Sequence, residues 1–500
     1  MLFKDRVIYV RPSVDLSQPD QLQVHSTATT SLWEQSTPQC SHNTTESPLV
    51  TLTSTSPLRI QDSDSPVIYE WVNAGTPDVY YRVVPPANEE HPNSEVQNGE
   101  DFEVLTDTEE EPVMLGSPDY TISDSEEADL ADILRSFQKD HLDTQNCAIV
   151  VARRSKILHS ACQALSKSYF AWHRTPRIEF VGESAEDHGG PQREFFRLLM
   201  IEAQSALGIF EGKQGQVFFA YNQSALEQNR FYTCGKLIAW SLFHGGPGIK
   251  ALHQALYLLM CGQEGQLDRL DFHDLPDNEV QLKLQQIQQC KSVADLISLK
   301  ASLGDWIADC GVPWIYNAGL PEMPRVYSLV IKHFIYLRPA SMILQFKAGM
   351  NSCGSIWQTV ETNWMAFKPL FTNTQKPLSR SEFKDLLVVN WSDEGSNHRQ
   401  IEEDTIFAWE CLLNSIQEKE TSLTFEDLLT FMTGADAVPP LGFPKKAEID
   451  FYTQEDGGRR LPYASTCSMV LFLPRGVLDE SELQNLLTDA VKGSVGFGKI

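Results

Sequence analysis

Hydrophobic residues follow two regimes along this chain. Up to about residue 125 they stand singly among Ser, Thr, Pro, Asp and Glu, as in Thr51-Leu52-Thr53-Ser54-Thr55-Ser56-Pro57. From Glu126 they return with helical spacing. Leu130, Ile133, Leu134 and Phe137 share one face of a helix predicted over 126–141, with acids in its first turn. The same period predicts a helix carrying Ile157, Leu158, Cys162 and Leu165, and one over 231–242 stopped by Gly245-Gly246-Pro247-Gly248. Further helices are predicted at about 250–261, 278–289, 293–303, 324–336, 339–350, 406–416, 425–432 and 479–491. Strand signals are fewer. Residues 177–181 alternate, and 469–473 form an apolar run. Pro462 and Pro474 bracket that second run, and prolines mark the edges of a sheet. The pattern predicts an α+β fold, mostly helical, behind a long arm.

The arm, 1–125, is too polar and acidic to bury the area that would offset chain entropy, and is predicted to be disordered. Two β-prone runs, Val67–Val72 and Val79–Val84, flank Asn73-Ala74-Gly75-Thr76-Pro77 and fit either a hairpin or an adhesive binding segment. Thr37, Ser47, Ser56, Ser65 and Ser117 each precede a proline, a pattern common by chance in such sequence. The formal net charge of −27 argues against nucleic acid and anionic membrane surfaces as partners. The ten cysteines are scattered singly, without zinc-site or disulfide-framework spacing. That usage fits a reducing compartment, cytoplasmic and/or nuclear. No apolar run has the length of a signal peptide or a membrane span.

One cysteine has a setting suited to chemistry. Cys467 lies in Leu461-Pro462-Tyr463-Ala464-Ser465-Thr466-Cys467-Ser468-Met469-Val470-Leu471-Phe472-Leu473-Pro474, on a loop anchored by the strand that follows. Most intracellular cysteines are small buried hydrophobes, so the surrounding text decides. Leu-Pro-x-Ala-x-Thr-Cys, then an apolar strand ending in Leu-Pro, resembles the active-site signature of HECT-type ubiquitin ligases. Leu428-Leu429-Thr430-Phe431-Met432-Thr433-Gly434 with Pro439-Pro440-Leu441-Gly442-Phe443 resembles the family's helix end and Gly-Phe turn. Gly496-Phe497-Gly498-Lys499-Ile500 resembles its tail. A fourth stretch, Gly182-Glu183-Ser184-Ala185-Glu186-Asp187-His188-Gly189-Gly190-Pro191-Gln192-Arg193-Glu194-Phe195-Phe196, resembles the signature of its amino-terminal lobe. Read alone, the carboxylates beside His188 suggest an acid/base or metal cluster, against a solvated turn before a helix. The resemblance favours a mainly structural role.

The resemblance spans about 147–500 and implies a bilobal HECT domain. A helical connector at 126–146 leads into a large helical N-lobe at 147–390. An interlobe hinge at 391–398, polar and Gly-containing, precedes a smaller mixed C-lobe at 399–500. It implies an enzyme, a ubiquitin-protein transferase. Cys467 accepts ubiquitin from a conjugating enzyme as a thioester and gives it to substrate lysines, with Thr466 and Phe497 supporting transfer and no cofactor or metal. Within the family the chain is most similar to members specific to a phase of the cell cycle, although the zinc modules of those members are not visible. The implied partners are ubiquitin, a conjugating enzyme and, through the arm, protein substrates. Phe102-Glu103-Val104-Leu105 before a run of acids resembles motifs that add a strand to a ubiquitin-like modifier, and also fits a plain acidic linker. Three positions depart from the family pattern. Ser465 stands where His is frequent, and Ser468 and Met469 stand where an aromatic and Asn are frequent. The segment expected to dock the conjugating enzyme shows only Trp306-Ile307-Ala308-Asp309 and Pro313-Trp314-Ile315-Tyr316-Asn317, as groove or as core. The alternative is a catalytically weak or inactive HECT-like protein that binds ubiquitin or partners.

Overall fold

The computed structural model describes residues 129–183, 188–264, 270–454 and 460–494. The arm at 1–125, its motifs, Glu186, Asp187 and the tail with Phe497 lie outside the described residues. Two hydrophobic cores organise the described chain, as a bilobal reading requires.

The first core begins earlier than the sequence suggests. Helix α1 (Leu130–His141) is capped by Asp129 and buries Leu134 and Phe137. Phe137 packs edge-on against Phe243 with ring centres 5.9 Å apart. The predicted connector is therefore a wall of the first lobe. Strands β1 (Asp143–Ala152) and β2 (Arg174–Phe180) pair in parallel, and α2 (Ile157–Leu165) makes the crossover. Then follow α3 (Gly190–Ala206), the hairpin β3 (Phe210–Lys213) and β4 (Gln216–Phe219), α4 (Gln223–Glu227) and α5 (Arg230–Phe243). From Phe231 to Phe243, α5 buries side chains on every face, so it runs through the interior rather than along the surface. After it come α6 (Gln254–Met260), α7 (Asn278–Gln289), α8 (Val293–Asp309), α9 (Met323–Lys332), α10 (Ala340–Asn351), α11 (Ile356–Thr362) and α12 (Trp364–Phe371), of which α10 packs along α5 while α7 packs against α8 and α9.

The second core starts at α13 (Arg380–Asp385), whose Phe383 is fully buried in it. After it come β5 (Leu387–Val389), α14 (Asn397–Gln417), α15 (Phe425–Thr433), β6 (Ala447–Tyr452), β7 (Tyr463–Ser465), β8 (Val470–Pro474) and α16 (Glu480–Gly493). The strands form one sheet in the order β5-β6-β8-β7, parallel except for β7.

This places the link between lobes differently from the expected 391–398. That segment is fastened to the second core. Asn390 N–H donates to Ile449 O, and Ser392 donates through both its N–H and its hydroxyl to buried Glu402. Arg475 completes the clasp on Glu402 at 2.8 Å. The exposed stretch between the cores is 373–377. Before it, Thr372 is held by Lys368 O, and after it Leu378 N–H donates to Glu426. A polar, Gly-containing composition marked 391–398 as a link, but a buried carboxylate holds Ser392 within it.

Candidate active site

Cys467 sits in the turn Thr466-Cys467-Ser468-Met469 that joins β7 to β8. Tyr463 to Ser465 pair antiparallel with Phe472 to Val470, so the turn closes a short hairpin. Closing it requires a left-handed residue, and Met469 takes φ +52°. Ser465, at the position where the family pattern often has His, ties the turn shut: its Oγ accepts from the Ser468 hydroxyl at 2.6 Å. Cys467 is half-buried and Thr466 is 7% exposed. The Thr466 hydroxyl is buried without a hydrogen-bond partner among the described residues.

The turn does not face open solvent on all sides. It rests on the amino end of α3, in the other lobe. Arg193, in the first turn of α3, donates Nη2–H to Thr466 O at 2.7 Å and Nε–H to Thr433 O at 2.8 Å. Hydrogen bonds from a charged donor contribute about 1.5–3 kcal/mol each. Gly190 makes the approach possible, because a Cβ there would collide with Thr466 Oγ1 and lie 3.0 Å from the Cys467 nitrogen. Gly434, the left-handed cap of α15, in turn lies against Gly190 O. Leu441 of the Pro-Pro-Leu-Gly-Phe stretch covers Gly245 of the first lobe, and Arg135 of α1 donates to Leu441 O. Beside this seam is a cleft of about 140 Å³ lined in part by Arg193, Arg197, Lys250 and Asp436. Burial pulls the Lys250 amine below its ordinary range, with Asp436 opposing.

The signature around Gly189-Gly190 therefore has two parts. Glu183 and Glu194 are structural, since both pair with Arg154 at 2.8 and 2.6 Å. Gly190 and Arg193 are not confined to their own lobe. Sequence reasoning named the stretch but missed its contact with the Cys467 turn, because Arg193 and Thr466 are 273 residues apart. The docking segment resolves mostly as core. Ile307 and Ile315 are fully buried, while Tyr316 remains 49% exposed and hydrogen-bonds Asp305.

Among the other described cysteines, Cys162 and Cys411 are half-buried like Cys467 and Cys147 is exposed. Five of the nine described cysteines are buried. Burial pushes the thiol of Cys261 up to about 12, of Cys310 to about 11 and of Cys353 to about 12, and raises Cys234 as well. Such thiols hold their protons and are poor nucleophiles. Among the described residues no helix is long and apolar enough to cross a membrane. Nor does any group of three or more His, Cys, Asp or Glu among them stand ready to hold a metal.

Comparison with known proteins gives the family. The HECT-domain (ubiquitin-transferase) family matches residues 197–500. The chain is 26% identical over 318 residues to the G2/M phase-specific E3 ubiquitin-protein ligase of Gallus gallus, covering 63% of this chain and 41% of that protein. The Homo sapiens protein of the same name is 24% identical over 325 residues, covering 64% and 43%. The probable E3 ubiquitin-protein ligase HERC4 of Homo sapiens is 24% identical over 376 residues, covering 71% and 33%. The chain thus spans less than half the length of these relatives. With a matching region that takes in both lobes from α3 onward, the chain belongs to the HECT-domain family.

Proposed function

We propose that the chain is a ubiquitin ligase that takes ubiquitin from a conjugating enzyme as a thioester on Cys467 and passes it to substrate lysines. The observation that carries this reading is the setting of Cys467: a half-buried thiol on a turn between paired strands that rests on the other lobe through Thr466 O. Exchange of one thioester for another is nearly balanced in energy, so loading needs an accessible thiolate and good positioning rather than a strong acid or base. Attack by a lysine amine completes the transfer in a second, easier step. Thr466 supports that step through a hydroxyl left unpartnered beside the thiol, and the family resemblance extends a supporting role to Phe497. Substrates engage the arm, and the protein works in the cytoplasm or nucleus.

The conjugating enzyme docks on the outer face of α8. Val293 and Ile297, one helical turn apart, are 64% and 65% exposed, and Tyr316 stands over Gly304 further along that face. Ile297→Asp is expected to abolish loading while leaving the thermal unfolding midpoint unchanged. Unchanged loading moves the docking face elsewhere.

The central test is incubation with ubiquitin, activating enzyme and a panel of conjugating enzymes, read on a non-reducing gel. Wild type should form an adduct that a reducing agent removes. Cys467→Ser should give at most a thiol-resistant oxyester and Cys467→Ala none. An adduct that survives in Cys467→Ala rejects this nucleophile. A wild type that loads with no enzyme of the panel is a binding module instead.

A further inference from the structure

We infer that Gly190 and Arg193, at the amino end of α3, form the seat in which the loaded Cys467 turn is discharged, with Arg193 as a positioning residue for transfer to lysine. The inference rests on the ubiquitin-transfer reading above and assigns part of that reaction to the other lobe. Both residues lie just ahead of the span that matches the family, 197–500.

Three observations meet here. Arg193 bridges two carbonyls of the second lobe, Thr433 O at the end of α15 and Thr466 O beside the nucleophile. Gly190 leaves no room for a side chain between α3 and the turn. Gly434, at the other end of the bridge, packs on Gly190 O. The two glycines and the arginine thus fit a single relative placement of the turn and the helix.

The placement suits discharge. The lysine amine attacks the thioester carbonyl carbon, and a C–N bond forms as the C–S bond breaks. The electron pair leaves on Sγ as thiolate, and the amine gives its proton to solvent. Negative charge grows on the carbonyl oxygen and then on sulfur. The seat presents the Arg193 guanidinium one residue away and the amino end of α3, both of which favour negative charge. Loading is a different task. A bulky donor must reach Cys467, and the seated turn has the first lobe against it, with Thr466 only 7% exposed. Charging therefore takes place unseated and discharge seated.

The test uses the full chain in single turnover. Protein is loaded with ubiquitin, charging is quenched, and free lysine is added. Arg193→Ala and Gly190→Ala are expected to load within about twofold of wild type but to discharge about ten- to a hundred-fold more slowly, the usual cost of lost positioning. Arg193→Lys keeps the charge but cannot span both carbonyls, and should fall between wild type and Arg193→Ala. A second measurement guards against variants that load poorly: alkylation of Cys467 in the uncharged chain, which unseating should speed at least several-fold. Discharge at the wild-type rate in both Arg193→Ala and Gly190→Ala overturns the inference. Faster discharge also overturns it, by making the contact a brake. A wild type that never loads rejects the ubiquitin-transfer reading itself, a result separate from these.

Discussion

At the scale of single residues, the Cys467 turn shows which parts of the sequence were readable. Cys467 and Thr466 were singled out from their neighbours, because a short motif keeps its residues within seven positions. Met469 was noted only as a departure from Asn, and its backbone explains the preference. It holds φ +52° while 1% exposed, and Asn tolerates a left-handed conformation where Met is strained by roughly 1–2 kcal/mol. Here packing of a long side chain into the second core offsets that strain. An inversion of the usual order follows. Met469→Ala loses the packing and keeps the strain, for a loss of about 2–5 kcal/mol. Met469→Gly loses the same packing but sheds the strain, and should be at least as stable as the alanine variant. Elsewhere in regular structure glycine costs about 0.5–1 kcal/mol more than alanine. Denaturant midpoints of the two variants decide it, and an alanine variant that is clearly the more stable would contradict the strained turn.

At the scale of elements, hydrophobic periodicity located the helices well. The predicted 278–289 coincides with α7, and 293–303 falls within α8. It gave no signal for the short helices α4, α11, α12 and α13, nor for β3, β4, β5, β6 and β7. These strands are only a few residues long, and β5 and β6 owe their existence to partners far away in sequence, such as Leu387 opposite Ala447. Missing β5 displaced the expected hinge. The correction is testable by two replacements with Pro-rich sequence. At 373–377 the change should leave both lobes folded and slow transfer. At 391–398 it should unfold the second lobe, because Ser392 would no longer satisfy Glu402. A stable second lobe with 391–398 replaced would restore the earlier boundary. Arg475→Ala probes the same clasp. Glu402 is fully buried, and removing its cation leaves a buried charge short of partners, at a cost of about 3 kcal/mol. Burial pushes the Glu402 carboxyl up, but the bonds from Ser392 and Arg475 outweigh it and hold it below the usual carboxylate range.

At the scale of the whole molecule, the two-lobe plan and the family were legible, since four motifs in order identify a domain. The seam was not, because it joins chain ends of two elements through glycines and backbone carbonyls, which leave no hydrophobic pattern. The lobes should also differ in acid. In the first, His244 is half-buried with Nε2 2.7 Å from Trp172 O, and desolvation lowers its pKa to about 4. A depressed value favours the neutral folded form, so its contribution is full above the unfolded value of about 6.5 and is lost as pH falls toward 4. Near pH 5 that loss reaches about 2 kcal/mol. Glu402 has the same sign in a lower window: its contribution is intact above the ordinary carboxylate value and fails only as pH drops through its own depressed one. Thermal scans between pH 7 and 5 should therefore show the first lobe weakening while the second holds, and His244→Gln should flatten the trend. Equal weakening of both lobes would remove His244 as the cause. The seam would set a rhythm for the proposed transfer. On that proposal, each ubiquitin that passes requires the Arg193 bridge to Thr433 O and Thr466 O to form once and to let go once. Steady output then peaks at an intermediate grip: a weaker latch lets the cargo linger undelivered, and a stronger one delivers promptly but keeps the thiol from its next refill.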